Sequence, residues 1–217
     1  MEVSLPEPLY LVVILLFLGL APFVGLMVTS FIKIVVVLSL IRNALGVQSI
    51  PPNMVINGLA IILTIHIMNP VAQETFEIVR AQEVDTAEFE SIIDAVEDAK
   101  VPLKTFLLKH TSERERVFFY NSAKRLWPEE RHSSLSDDDM MILVPAFTVS
   151  ELTSAFQIGF LIYLPFIAID IIVSNILLAM GMMMVSPMTI SLPFKLLLFV
   201  VVDGWTRLIH ALVLTYV

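Results

Sequence analysis

MMILVPAFTVSELTSAFQIGFLIYLPFIAIDIIVSNILLAMGMMMV, residues 140–185, is an apolar block of 46 residues carrying only two charges, Glu151 and Asp170. A helix crosses the roughly 30 Å hydrocarbon core of a bilayer with about 20 apolar residues, so the block is long enough for two spans. Pro145 and Pro165 are expected to bend it. Just upstream, Ser136 and the acids Asp137, Asp138 and Asp139 offer side-chain acceptors and negative charge to the orphan N–H groups of a helix start, which predicts that a long helix begins there.

The same solvent preference holds across most of the chain. Hydrophobic residues make up 57% of 217 positions and the mean hydropathy is +0.86, far from a soluble domain. Of the 34 charged residues, 25 lie in residues 73–139, as 9 basic and 16 acidic side chains, so a polar island separates two apolar blocks. The net charge of −8 leaves no Lys/Arg cluster to replace phosphate counterions, which excludes nucleic acid as a partner. With no cysteine, disulfides and thiolate metal sites are excluded as well.

Upstream of the island, the run at residues 9–41 would reach about 50 Å as one helix, too long for one straight span. Gly19, Pro22 and Gly25 are expected to kink it, and Lys33 lies too deep to be a flank. Glu2 and Glu7, with no basic residue before Lys33, do not make the positive end of a secretory signal, so this run is expected to be retained. A polar turn at residues 42–53, with Pro51 and Pro52, leads into a second apolar run, residues 54–70, and predicts a helical hairpin. Within the island, Phe89, Ile92, Ile93 and Val96 keep helical spacing, Pro102 is placed to open a helix, and Ser112 with Glu115 fits a capping box. Downstream, residues 190–202 and 208–217 are short apolar runs with Lys195, Asp203 and Arg207 within or between them. The fold class is therefore all-α, a multipass membrane protein of long kinked helical hairpins with a small polar helical insertion. The expected divisions are residues 1–72, a hairpin; 73–139, the acidic insertion; and 140–217, a second hairpin. An acidic N-terminus and Arg42 in the first turn place the insertion on the periplasmic side by the positive-inside rule.

Charges inside apolar segments cost about 2.5–3.5 kcal/mol each at mid-span, so Lys33, Glu151, Asp170, Lys195, Asp203 and Arg207 should be paired or should face water. Asp203 and Arg207 are spaced to pair within one helix. Glu151, Asp170 and Lys195 pair either within the structure of one chain or between subunits. Ala146, Ser150 and Ser154, and Ala155 with Gly159, form small-residue faces that let helices approach closely. Met182, Met183 and Met184 lie between Gly181 and Pro187, where helix should give way to a loop. A loop, unlike a helix, can turn several of these adaptable side chains toward one lumen. No zinc-protease, serine-hydrolase or phosphate-loop motif is present. Asp203 lacks the surroundings of an intramembrane aspartyl protease, and His66 and His210 are isolated residues expected to pack. The chain is read as a non-enzyme without cofactor.

Three stretches carry a family resemblance: MVTSFIKIVVVLSLIRNALG at residues 27–46 with Pro51, Pro52 and Asn53; PAFTVSELTSAFQIGFLIYLPF at 145–166; and GMMMVSPMTISLPFKLLLFVVVDGW at 181–205. In this order they resemble the FliP/SctR family of flagellar and injectisome export-gate proteins. The resemblance implies a pore-forming subunit of the type III secretion gate in the bacterial inner membrane. It implies five copies assembled with SctS-type and SctT-type subunits and other export components, with unfolded secreted polypeptide as cargo. It also implies that Met182, Met183 and Met184 form a lumenal gasket. Lys33, Trp127-Pro128 and Trp205-Thr206-Arg207, with the absence of a cleavable signal, resemble the injectisome branch more than the flagellar one. The rival reading is a small-solute or metal transporter that uses the methionines and buried charges.

Overall fold

The computed structural model describes residues 8–47, 50–82, 95–182 and 184–217, and among these all regular structure is helical. The first apolar run is divided into α1 (Pro8–Met27) and α2 (Phe31–Ala44). The break between the two helices falls at residues 28–30, and Gly19, Pro22 and Gly25, where a kink is expected, lie within α1. Pro22 removes a single N–H from the ladder, whereas the Thr29 hydroxyl competes for a backbone group, donating to the Leu26 carbonyl at 3.4 Å. Arg42 Nη1 donates to Asn53 Oδ1 at 2.5 Å across the predicted turn, and α3 (Asn53–Ala81) begins there. That helix continues past the expected boundary at residue 72.

In the island, α4 (Val101–His110) has Pro102 in its first turn, and α5 (Glu113–Leu126) is capped by Ser112, whose hydroxyl accepts from the Glu115 N–H at 3.4 Å. The box is half made, because the Glu115 carboxylate takes Arg114 and the Ser112 N–H goes to Ser150 Oγ at 3.0 Å. A 3₁₀ turn, Glu129–Ser134, follows. Val96 lies in a short helical stretch at residues 95–99; Phe89, Ile92 and Ile93 are outside the described residues.

Asp139 Oδ1 accepts from the Met141 N–H at 3.1 Å and opens α6 (Met140–Ala179), as the acidic run predicts. α6 is one uninterrupted helix of 40 residues, about 60 Å long, rather than two spans. Pro145 and Pro165 each delete one donor, and the ladder on either side carries the helix through them. It stops at Gly181, whose φ of +74° only glycine adopts without strain. There the Gly181 N–H bonds the Leu178 carbonyl at 3.0 Å and the Met182 N–H bonds the Leu177 carbonyl at 2.9 Å, a Schellman stop. α7 (Pro187–Val201) starts on a proline, and α8 (Gly204–Leu214) leaves it at 60°.

α6 is the spine, packed by α2, α4, α5 and α7, while α2 lies between α6 and α3. Lys33 meets Glu151 and Leu40 meets Gly159, so α2 and α6 run parallel. A Cβ at Gly159 would stand 2.3 Å from Leu40 Cδ1 and 3.2 Å from Leu40 Cβ, which makes this the closest approach the small-residue face permits. The main core is built on Ile34, Val37, Leu38 and Ile41 of α2 against Ala60, Ala155 and Phe166; a second core holds Phe106, Leu107, Leu143, Phe147 and Tyr216. Among the described residues α3 and α6 are long and apolar enough to cross a membrane, and α7 with α8 would make a third span if the bent pair counts as one. The fold is an all-α membrane architecture.

Candidate functional site

Two charged clusters tie α2 to α6, one near each end of α2. At the first, Lys33 Nζ lies 2.8 Å from Glu151 Oε1, with both side chains almost fully buried. Tyr216 completes it: its hydroxyl donates to Glu151 Oε2, and Lys33 Nζ stands 4.2 Å above its ring. Phe106 stacks on the tyrosine at 6.0 Å and His110 flanks it at 5.0 Å. Each oxygen of the carboxylate thus has a donor and the ammonium has both an anion and a π face, the conditions under which a buried pair repays its desolvation. His110 sits beside Lys33 and Lys109; burial first, and then these two cations, hold its imidazole down to about 4, so it is neutral at physiological pH.

At the second cluster, Lys195 Nζ lies 2.6 Å from Asp170 Oδ2 and 3.3 Å from the Ala44 carbonyl, one of the orphan acceptors at the C-terminus of α2. Lys195 is therefore both an ion-pair partner and a cation at a negative helix end. Ser191, one helical turn before Lys195, donates from its hydroxyl to Asp170 Oδ1 at 2.6 Å. Along α6 the two carboxylates are 19 residues apart, about 28 Å.

Glu151, Asp170 and Lys195 thus find partners inside their own chain, so no contact between copies is needed to satisfy them. Asp203 and Arg207 do not pair. The Asp203 carbonyl accepts from the Arg207 N–H at 3.1 Å, so the two are joined through the backbone, but Asp203 stands before α8 in the left-handed region, φ +53°, and its side chain does not take the direction of a helical residue; both side chains are exposed. His66 and His210 are exposed rather than packed, and the packed histidine is His110. Sequence reasoning missed Tyr216, His110 and Ser191. Only Ser191 left a trace, its four-residue spacing from Lys195; nothing local distinguishes a tyrosine one position from the last residue.

Met182 and Met184 lie in the connection between α6 and α7, where the loop is predicted, and Met183 is outside the described residues. Met182 is 42% exposed and Met184 fully exposed, with Met180 exposed beside them. The Schellman stop fixes the backbone as far as Met182, whose side chain, like that of Met184, stands in the open. Among the described residues no three His, Asp or Glu side chains converge as a metal site.

The FliP family matches residues 14–212 of the chain. The chain is 56% identical over 214 residues to the Yop proteins translocation protein R of Yersinia pestis, an alignment covering 99% of each chain. It is 50% identical over 215 residues to the virulence protein YscR of Salmonella typhimurium, covering 98% of this chain and 99% of that one. To the hypersensitivity response secretion protein HrcR of Ralstonia nicotianae it is 49% identical over 211 residues, covering 95% and 96%.

Proposed function

The chain belongs to the FliP family, and from that premise we propose that it is the core pore-forming subunit of a type III secretion export gate of the injectisome branch. It acts in the bacterial inner membrane, with the polar insertion on the periplasmic side, and passes unfolded polypeptides. Five copies, as the family resemblance implies, surround one lumen together with SctS-type and SctT-type subunits. The chain performs no catalytic step, and the driving energy comes from other components.

One observation supports this reading beyond the kinship: exposed methionines stand at and just beyond the Schellman stop that ends the longest apolar helix among the described residues. An unbranched thioether side chain adapts to irregular surfaces, so Met182, Met183 and Met184 from several copies close a lumen against ions and yield to varied passing side chains. The buried charges serve the same end by holding α2, α6 and α7 in fixed relation to that loop.

The test is a triple replacement of Met182, Met183 and Met184 by Ala in the assembled complex. Ion conductance should rise while native gels show an unchanged assembly. Replacement by Leu, similar in volume and stiffer, should leak less than Ala. A triple-Ala gate that assembles normally and stays as tight as the parent would make these ordinary packing methionines.

A further inference from the structure

The gate reading makes no use of His110. Its ring is half-buried between Phe106, at 4.7 Å, and Tyr216, at 5.0 Å, beside the only buried aromatic anchor in the last residues of the chain. α8 is joined to the main core through Leu208 and Leu212, and its trailing end is joined to α2, α4 and α6 through Tyr216. We propose that His110 makes this seating acid-sensitive, so that protonation of its ring releases Tyr216 and the chain end from their slot.

The charges around the ring decide the direction. Lys33 faces it from α2, Glu151 from α6, Lys109 from α4, and Arg114 and Glu115 from the start of α5. Both carboxylates are already engaged, Glu151 by Lys33 and the Tyr216 hydroxyl, and Glu115 by Arg114 at 2.8 Å. An imidazolium here meets two lysines and no free anion. The ring of Tyr216 could attract it as a π face, but that ring already carries the Lys33 ammonium at 4.2 Å. Departure of the tyrosine relieves the crowding by admitting water. Thr215, which lines a recess of about 630 Å³ floored by Lys33, Ser150 and Glu151, would move with it and widen that recess.

The sign follows from linkage. The seated ring binds a proton only near pH 4, whereas a ring opened to water binds it at a higher pH, at most near the ordinary value of 6.5 while Lys33 and Lys109 stay beside it. Release is therefore indifferent to pH above 6.5. Below it, release is favoured by up to about tenfold per pH unit until the seated ring also titrates.

The chain has no cysteine, so Val217→Cys, at an exposed position, can carry a single nitroxide label in the full-length protein within its detergent-extracted complex. Between about pH 7.5 and about pH 5, the ratio of mobile to immobile label should rise by about an order of magnitude. His110→Gln and His110→Asn, read in parallel so that the result does not rest on one variant, should hold that ratio constant. Tyr216→Phe should raise the mobile fraction already at neutral pH and keep the acid response. A label that stays immobile in the parent at acid pH overturns the proposal, and so does an acid response that persists in both His110 variants.

Discussion

Glu151 and Lys33 are each nearly inaccessible to water, so losing one of the two charges costs more than losing both. Glu151→Gln leaves the Lys33 ammonium without an anion in the interior and should cost about 3–5 kcal/mol, while Lys33→Met strands the carboxylate at a similar cost. The double variant Lys33→Met with Glu151→Leu removes both charges and should recover most of the loss, which chemical unfolding of the detergent-solubilised protein would measure. A double variant no better than either single would mean that the pair does not act as a unit. Asp170 is more exposed than its partner, with 36% of its side chain accessible, so Asp170→Asn should cost less than Glu151→Gln. The sequence alone told that these charges needed partners, because charges in an apolar run are expensive wherever they lie. It could not tell which ones, since Lys195 reaches both a carboxylate on α6 and a carbonyl at the end of α2, a meeting of three segments far apart in the chain.

At the scale of the element, helix starts and stops were legible because they rest on neighbours in sequence. Asp139, Ser112, Pro102 and Gly181 all mark ends where local hydrogen-bond chemistry predicts them. Helix continuity was not, because a proline's effect depends on whether the surroundings reward a bend; Pro22, Pro145 and Pro165 all lie inside helices. The contact between α2 and α6 shows what is at stake in a single small residue. Gly159→Ala gains about 1 kcal/mol of helix propensity but forces Leu40 aside, at about 1–3 kcal/mol for overpacking, so the variant should be neutral to mildly destabilising. Gly159→Val gains less propensity than Ala and sets a branched side chain against Leu40, so it should be clearly worse. Combining Gly159→Ala with Leu40→Ala should restore the helix spacing, as the distance between spin labels on α2 and α6 would report; an unchanged distance in every variant would show that Leu40 simply rotates away.

At the scale of the molecule, the apolar and polar blocks were readable from composition, and the depth of each helix in a bilayer was not. α6, at about 60 Å, is twice the hydrocarbon thickness, so a single upright crossing leaves about half its length outside. The tie of Lys33 to Glu151, the tie of Lys195 to Asp170 and Ala44, and the glycine contact between them leave α2 no freedom to slide along α6. On the proposed function, with a polypeptide arrested in the assembled gate, the distance between labels on α2 and α6 should match that in the closed gate, while distances between equivalent sites in neighbouring copies increase. A change within the chain instead would mean that the ties open during passage. If the pair holds, each copy in the proposed gate behaves as a stiff leaf, and its aperture would widen as the shutter of a camera does, by whole leaves swinging outward while none of them stretches.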